Sequence, residues 1–594
     1  MAMSLLVGDP FISAMALFFA VAVVLAAGKS FRPTRSVFAT TAKSAFVWIV
    51  AVAIAAVSWL PPLRMLETNE RAQPFDRTAA ELYSHHPLRV LEMVAPGALG
   101  DPTGEYPAGQ WVGEPAASGA PLFFSSYLGV VTLALALLGL RRRRLQLVLA
   151  GASLLALFVA FGKHTPVHQI WRTILFPFAH MHSPEKYVVL VVAGLAPLAG
   201  LGASSVLADE RSGLRRLLVL GGVLAGLALA APVLLPAALA PGVRAAGLRG
   251  LLALALLFAL IRLSRRFSRA VPLVMLALVA LDLGIPASRL TGFGSAQLLT
   301  RVPSAASAIL QDNGSPGPPR VFRQPNLEQT AAPLGPKATW RDSQERAIDS
   351  LTPNTLNIFG LAVVPGYASA IPDLLSQLGP RTFADLGRTL RLFSVPYLLV
   401  TDTGASDLRK TSTVAMLSHP LPKGSLLRLQ GARPRVYLAS QIRSLSPAEA
   451  AHHLLDEAVV SGQEVLVFTA RQPQFVPTLQ GGESHACTLE SFANTRLVAL
   501  CSTPSPTLAV FVEQYDPGWS ALVDGKVAPL LRANLLMRAV PLSAGSHRIE
   551  LQYRAPGLRM AIFLSVMGLL ALVVLVATAR GGPRRGIESR RREW

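Results

Sequence analysis

Two stretches of this chain gather groups that move protons and hold phosphate. The first carries Arg64, Glu67, Glu70, Arg71, Asp76, Arg77, His85, His86, Arg89 and Glu92. Transfer from a phosphate leaving group to a hydroxyl needs a carboxylate to take the proton and cations to stabilise the departing charge. Glu67 and Glu70, three apart, share a face if helical and are candidate bases. Arg71 and Arg77 have the donors to clamp a phosphate bidentately. The competing reading is an ordinary solvated amphipathic loop. The second stretch carries Lys163, His164, His168, Arg172, His180, His182, Glu185 and Lys186. Lys186 opens an apolar run at a depth suited to a lipid phosphate, or snorkels to the interface. Arg71, Arg77, His164, His182, Glu185 and Lys186 make up the candidate set for lipid-phosphate or substrate binding. The His spacing lacks the His-Glu-x-x-His pattern, so no metal site is expected; no cofactor is predicted, and a divalent ion stays open but unsupported.

Three further features bear on chemistry. Asp282 lies in an apolar run, where a carboxylate is costly and so either functional or a cap on the start of the outer domain. Tyr515 and Trp519 offer a stacking surface for carbohydrate, against the alternative of a bulge with a packed aromatic. Cys487 and Cys501 are the chain's two cysteines. A hairpin centred on Asn494 places them opposite each other, which predicts a cross-strand disulfide in a compartment that permits one. No phosphate-binding glycine loop, dinucleotide fingerprint or nucleophile elbow occurs in a strand–helix context.

The elements that must position these groups are membrane helices. Of 594 residues, 52% are hydrophobic and 15% charged, against about a quarter charged in a soluble domain. About nine runs approach the ~20 residues that cross a bilayer: Phe11–Ala27, Ala45–Leu60, Leu122–Leu140, Leu145–Phe161, Tyr187–Leu207, Leu217–Ala240, Gly250–Leu263, Val271–Pro286 and Met560–Ala577. The net charge of +21 suggests nucleic acid only until the charges are placed. Arginines cluster at 141–144, at 211–216, at 262–269 and after 579, in every second connection. That is the positive-inside bias of a polytopic protein, not a nucleic-acid surface. It predicts a bacterial cytoplasmic (inner) membrane protein with 287–558 outside and the carboxyl terminus in the cytoplasm.

The expected organisation follows. Residues 1–286 are helical, with outer loops 61–121 and 162–186. Residues 287–430 form an extracytoplasmic α/β region, and 431–558 a β-sandwich-like region. A final span, 559–578, leads into a basic tail, 579–594. Phe393–Val400 reads as a strand broken by Pro396, hence edge or bulged. Asp524-Gly525 is a hairpin signal.

The carboxyl-terminal stretch resembles the YfhO-like family of bacterial polytopic membrane proteins. The resemblance rests on Tyr515-Asp516-Pro517-Gly518-Trp519, Val523-Asp524-Gly525-Lys526, Arg532-Ala533-Asn534, Arg538-Ala539-Val540, Ala544-Gly545-Ser546-His547 and Tyr553-Arg554-Ala555-Pro556. Pro434-Arg435-Val436-Tyr437 and His182-Ser183-Pro184-Glu185-Lys186-Tyr187 add to it. The resemblance implies a GT-C-like membrane fold and a glycosyltransferase using a polyprenyl-phosphate sugar to decorate a cell-envelope polymer. The partners implied are membrane lipid, that lipid-linked sugar and the polymer. By its charges the chain begins outside, as if the family's leading helices were absent. The implied catalytic carboxylate would then be missing, which leaves a non-catalytic binding or assembly protein as the alternative.

Overall fold

The structure, a computed structural model, describes residues 35–66, 73–96, 122–123, 125–141, 143–207, 214–234, 240–263, 269–290, 296–325, 327, 340–352, 355–364, 385–468 and 487–581. The span expected at Phe11–Ala27, Glu67, Glu70, Arg71 and the basic tail from 582 lie outside these residues. The described residues form two compact units. One comprises residues up to 64, 71–293 and 557 onward; the other is chiefly 294–556.

The first unit is helical. It contains α1 (Arg35–Ile54), α2 (Ala56–Leu66), α3 (Val130–Gly139), α4 (Arg144–Ala160), α5 (Val167–Ile174), α6 (Val188–Leu207), α7 (Leu214–Leu234), α8 (Ala240–Leu263), α9 (Val271–Leu290) and a closing helix, Leu558–Gly581. Among the described residues, four helices are long and apolar enough to cross a membrane: Pro184–Val206, Gly242–Leu263, Val271–Ser288 and Leu558–Thr578. A fifth is made if α1 and α2, bent by 72° at Ala55, count as one span. The expected nine is thus more than the described residues carry. The run at 122–140 is helical only over the ten residues of α3, about 15 Å of rise. Gly129, at φ +83°, breaks it on the amino-terminal side.

Packing in this unit depends on absent side chains. A Cβ on Gly139 of α3 would lie 2.0 Å from the Leu198 carbonyl oxygen, and one on Gly202 of α6 would lie 1.8 Å from that of Leu135. The two helices therefore meet backbone to backbone, as small residues allow in membranes. Ser565 of the closing helix accepts a hydrogen bond from the Val57 N–H at 3.2 Å, satisfying a donor freed by the bend at Ala55.

The second unit is β-rich. Its first sheet has β1 (Arg320–Arg323), β2 (Ala362–Val363), β3 (Tyr397–Thr401), β4 (Val414–Leu421) and β5 (Gly424–Leu429) in the order β2-β1-β3-β5-β4. The β1–β2 and β1–β3 pairs are parallel, the rest antiparallel. Helix α10 (Ser304–Asp312) packs on one face, α11 (Leu386–Leu392) and α12 (Asp402–Thr411) on the other. Strand β3 is buried along its whole length at the centre of the sheet. The edge or bulged strand expected from Pro396 is therefore incorrect. The proline precedes the strand, where no ladder donor is needed, and its carbonyl accepts from the Leu429 N–H at 2.8 Å.

The remaining strands are β6 (Val436–Leu438), β7 (Gln441–Ser444), β8 (Glu464–Val467), β9 (Cys487–Ala493), β10 (Arg496–Thr503), β11 (Thr507–Phe511), β12 (Trp519–Val523), β13 (Lys526–Ala528), β14 (Leu531–Ala533), β15 (Met537–Leu542) and β16 (Gly545–Tyr553). They form a six-stranded sheet, β6-β11-β15-β14-β8-β7, and a five-stranded one, β13-β12-β16-β10-β9. Leu497, Ala499, Ile549 and Leu551 meet Phe511, Val540 and Leu542 between the sheets. The other face of the larger sheet is covered by α13 (Pro447–His453) and α14 (Glu457–Ser461) through Leu454, Val459 and Val460. Cys487 pairs directly with Cys501 across β9 and β10, and the two are disulfide-bonded.

Candidate functional site

The two polar stretches of the helical unit fold against each other. Asp76 caps a short helix, Arg77–Ala80, by accepting from the Ala79 N–H at 2.7 Å. His86 Nδ1 caps the next turn, Pro87–Met93, by accepting from Leu88 at 3.2 Å, with Pro87 preset at its first position. That turn turns Arg89 and Glu92 inward together. Glu185 arrives from a turn that starts at Ser183, held at φ +67°. Its backbone N–H donates to the Tyr83 carbonyl at 3.1 Å.

Arg89 is the hub. Its Nε donates to Glu92 Oε2 at 2.9 Å, its Nη1 to Glu185 Oε1, and its Nη2 to the Phe123 carbonyl at 2.8 Å. Glu185 Oε2 also accepts from the Leu122 N–H at 2.9 Å. His85 lies beside this group, 3.5 Å from Glu185 Oε1, with its ring stacked on Phe161. His85, Arg89, Glu92 and Glu185 are all at least 97% buried. Three chain segments, around 83–92, 122–123 and 183–185, are thus tied by one set of charges.

The set is incompletely satisfied. Among the described residues, Glu92 Oε1 and both ring nitrogens of His85 have no hydrogen-bond partner. Burial pushes the Glu92 carboxyl up to about 7, against the opposing pull of Arg89. Burial pushes His85 down, assisted by Arg89 and opposed by Glu185. A buried carboxyl that titrates near neutrality, with one oxygen unused, is equipped to accept or give a proton.

Around this core lies a more exposed rim. The His86 and His164 rings meet edge to face at 4.8 Å. Lys163 is exposed, and its backbone N–H donates to Ser84 Oγ at 3.1 Å. That contact requires glycine at 162, since a Cβ there would lie 2.1 Å from Ser84 Oγ. Glu81 accepts from Arg77 at 3.2 Å and from Gln169 at 2.6 Å. Arg172 is buried and donates to the Phe75 and Ala179 carbonyls at 2.6 and 3.0 Å. His182 contacts Ser183 Oγ at 2.5 Å and packs against Phe75.

The sequence candidates therefore divide. Glu185 is central, His164, His182 and Lys186 lie in the same loop cluster, and Arg77 is exposed and paired with Glu81. Asp282 stands elsewhere in the helical unit. It accepts from Tyr127 Oη at 2.5 Å and the Val131 N–H at 2.8 Å, capping α3. In the second unit, Arg538 lies 3.7 Å from the centre of the Trp519 ring, which also packs on Tyr553, while Arg532 faces Tyr515. Sequence reasoning placed His85, Arg89 and Glu92 in the loop without choosing them. The signal was His-Pro followed by an Arg and a Glu three apart, which marks a helical turn with an ion pair on one face. Among the described residues, no three metal-binding side chains converge.

Residues 442–565 match the family model described as Bacterial membrane protein YfhO. No curated protein and no solved structure matches the chain. The matched segment holds ten of the sandwich strands, β7 to β16, with α13, α14 and the start of the closing helix. In that segment the chain is similar to the YfhO family of bacterial membrane proteins, and the helices around it include ones long and apolar enough to cross a membrane.

Proposed function

We propose that the chain handles a polyprenyl-phosphate-linked sugar at the outer face of the cytoplasmic membrane, as a glycosyltransferase of GT-C type serving a cell-envelope polymer. The observation that carries this reading is the buried Arg89–Glu92–Glu185–His85 set with its unused Glu92 oxygen. In this reading Glu92 takes the proton from the acceptor hydroxyl. The hydroxyl oxygen attacks the anomeric carbon with inversion, and the bond to phosphate breaks with its electron pair leaving on polyprenyl phosphate. Lys163 and His164 face the phosphate from the rim, with Lys186 at the start of the following span. The arginine clusters between spans support an orientation with 287–558 outside.

The test uses the full chain in nanodiscs with a synthetic short-chain polyprenyl-phosphate sugar. Glu92→Gln is expected to lower transfer by about 10²–10³-fold, as loss of a general base does. Lys163→Ala with His164→Ala is expected to weaken polyprenyl phosphate binding about tenfold, or ~1.4 kcal/mol. Unchanged transfer in Glu92→Gln removes the catalytic role. Equal affinity for polyprenol and polyprenyl phosphate removes the ligand.

One observation favours the second reading, a non-catalytic binding or assembly protein. Glu185 and Glu81 each use both oxygens in contacts within the chain. In that case phosphate binding persists and no transfer is found at any pH.

A further inference from the structure

Helix α5 is amphipathic in the reverse of the usual sense. A surface helix of a soluble protein turns its apolar stripe inward. Here His168 and Arg172, four apart, are buried, while Ile170 and Ile174, also four apart, are 55% and 72% exposed. On the polar face Arg172 Nη2 donates to two backbone carbonyls, which turns the guanidinium into the protein, while its Nε and His168 Nδ1 have no hydrogen-bond partner among the described residues.

The surroundings name what covers the apolar face. The helix stands between α4, a 17-residue apolar helix, and a candidate span that opens at Pro184. Ile174 is thus ten positions from the start of a membrane crossing. Trp171 of α5 donates its indole N–H to Tyr187 Oη at 2.9 Å and packs against Phe178. Trp and Tyr concentrate at the headgroup level, where an apolar ring and a polar tip are both accommodated.

We propose that α5 lies in the lipid–water interface, with Ile170 and Ile174 immersed in the acyl boundary and His168 and Arg172 turned into the protein. The helix then seals the lipid side of the loop cluster. This inference holds whatever ligand that cluster takes.

The test places one cysteine at a time in the full chain, leaving the Cys487–Cys501 disulfide intact. Ile174→Cys and Ile170→Cys carry an environment-sensitive fluorophore, and Lys163→Cys serves as the exposed reference. The proteins are reconstituted in vesicles with and without lipid bearing a nitroxide near the headgroup. Labels at 174 and 170 are expected to emit at shorter wavelength than at 163. Nitroxide lipid should quench them at least about twofold, with little quenching by iodide, as for a side chain held ~5–10 Å into the boundary. Iodide quenching at 174 equal to that at 163 overturns the proposal in favour of water. Protection from both quenchers overturns it in favour of a protein partner, including a second copy.

Discussion

Both units bury charge, and they do so differently. In the β-rich unit, Glu513 Oε1 accepts from Arg320 at 2.8 Å and from Arg435 at 3.0 and 2.5 Å. Arg320 then donates to the carbonyls of Phe393 at 2.7 Å and Val512 at 2.5 Å. This joins the α/β sheet to the sandwich, because Arg320 opens β1 and Arg435 precedes β6. Two guanidinium nitrogens nearby, Arg433 Nη1 and Arg538 Nη1, lack hydrogen bonds among the described residues. Both belong to cations set over the Tyr437 and Trp519 rings, whose faces are electron-rich. In the helical unit, Glu92 and His85 keep unused polar atoms with no such substitute among the described contacts. A network closed on itself serves architecture; one left open at a buried oxygen is a candidate for chemistry.

Removing the centre of the closed network is the strongest test of this difference. Glu513→Ala would leave Arg320 and Arg435 facing each other without their shared anion. Breaking a buried pair in this way costs about 3–5 kcal/mol. The expected result is a large fall in the urea midpoint of the full chain in detergent, followed by tryptophan fluorescence. A loss too small to measure would mean that the α/β sheet and the sandwich do not depend on this joint.

Asn534 gives the next largest effect. Its Oδ1 accepts from the Leu466 N–H at 2.9 Å and its Nδ2 donates to Tyr437 Oη at 3.0 Å, all buried. Its backbone sits at φ +43°, a region asparagine tolerates and alanine does not favour. Asn534→Ala should cost about 3 kcal/mol, from an orphaned buried donor plus backbone strain. Asn534→Gly relieves the strain alone and should recover about 1 kcal/mol of that in the same urea experiment. Equal losses in the two variants would show that the strain contributes nothing.

These contacts also mark what the sequence discloses. Asp524-Gly525 is the two-residue turn expected between β12 and β13, with φ of +50° and +79°. Local turn chemistry decides such a feature, so it is legible. The cysteine pairing was read from a hairpin centred on Asn494, yet the route differs. The turn joins Ala493 to Arg496 in a register one residue away, and a bulge between Val498 and Ala499 shifts it back before Cys501 meets Cys487. Pro396 misled because a proline penalises a position inside a ladder, and the strand begins one residue later. The candidate site was legible as two loops rich in His, Arg and Glu. That Arg89 reaches Glu185 across 96 residues was not, since no periodicity encodes that contact. Asp282 was open between function and a cap on the outer domain, and in the fold it caps α3 instead. The choice depended on α3 starting at Val130, within an apolar run that gave no sign of a break.

Glu92→Gln is the smallest change and has the opposite sign. In the fold the Glu92 carboxyl is raised from 4.5 to about 7, chiefly by burial. The folded state therefore holds this proton more tightly than the unfolded chain. Its contribution to stability is full below about 4.5 and is lost as pH rises through about 7. His85 runs the other way. Its folded value is lowered by burial, so its contribution is full above about 6.5 and is lost as pH falls. Below about 6.5 the two slopes oppose each other, and the wild-type profile there should be shallower than Glu92 alone would make it. Glutamine keeps the shape and cannot ionise. Relative to wild type, Glu92→Gln should be neutral near pH 4.5 and gain on the order of 2 kcal/mol by pH 8, read as thermal midpoints across that range. If it is instead destabilised by the same amount at every pH, Glu92 is a settled anion for Arg89, as Glu513 is for its arginines. The two networks would then be of one kind, and the general base would have to be sought elsewhere in the chain.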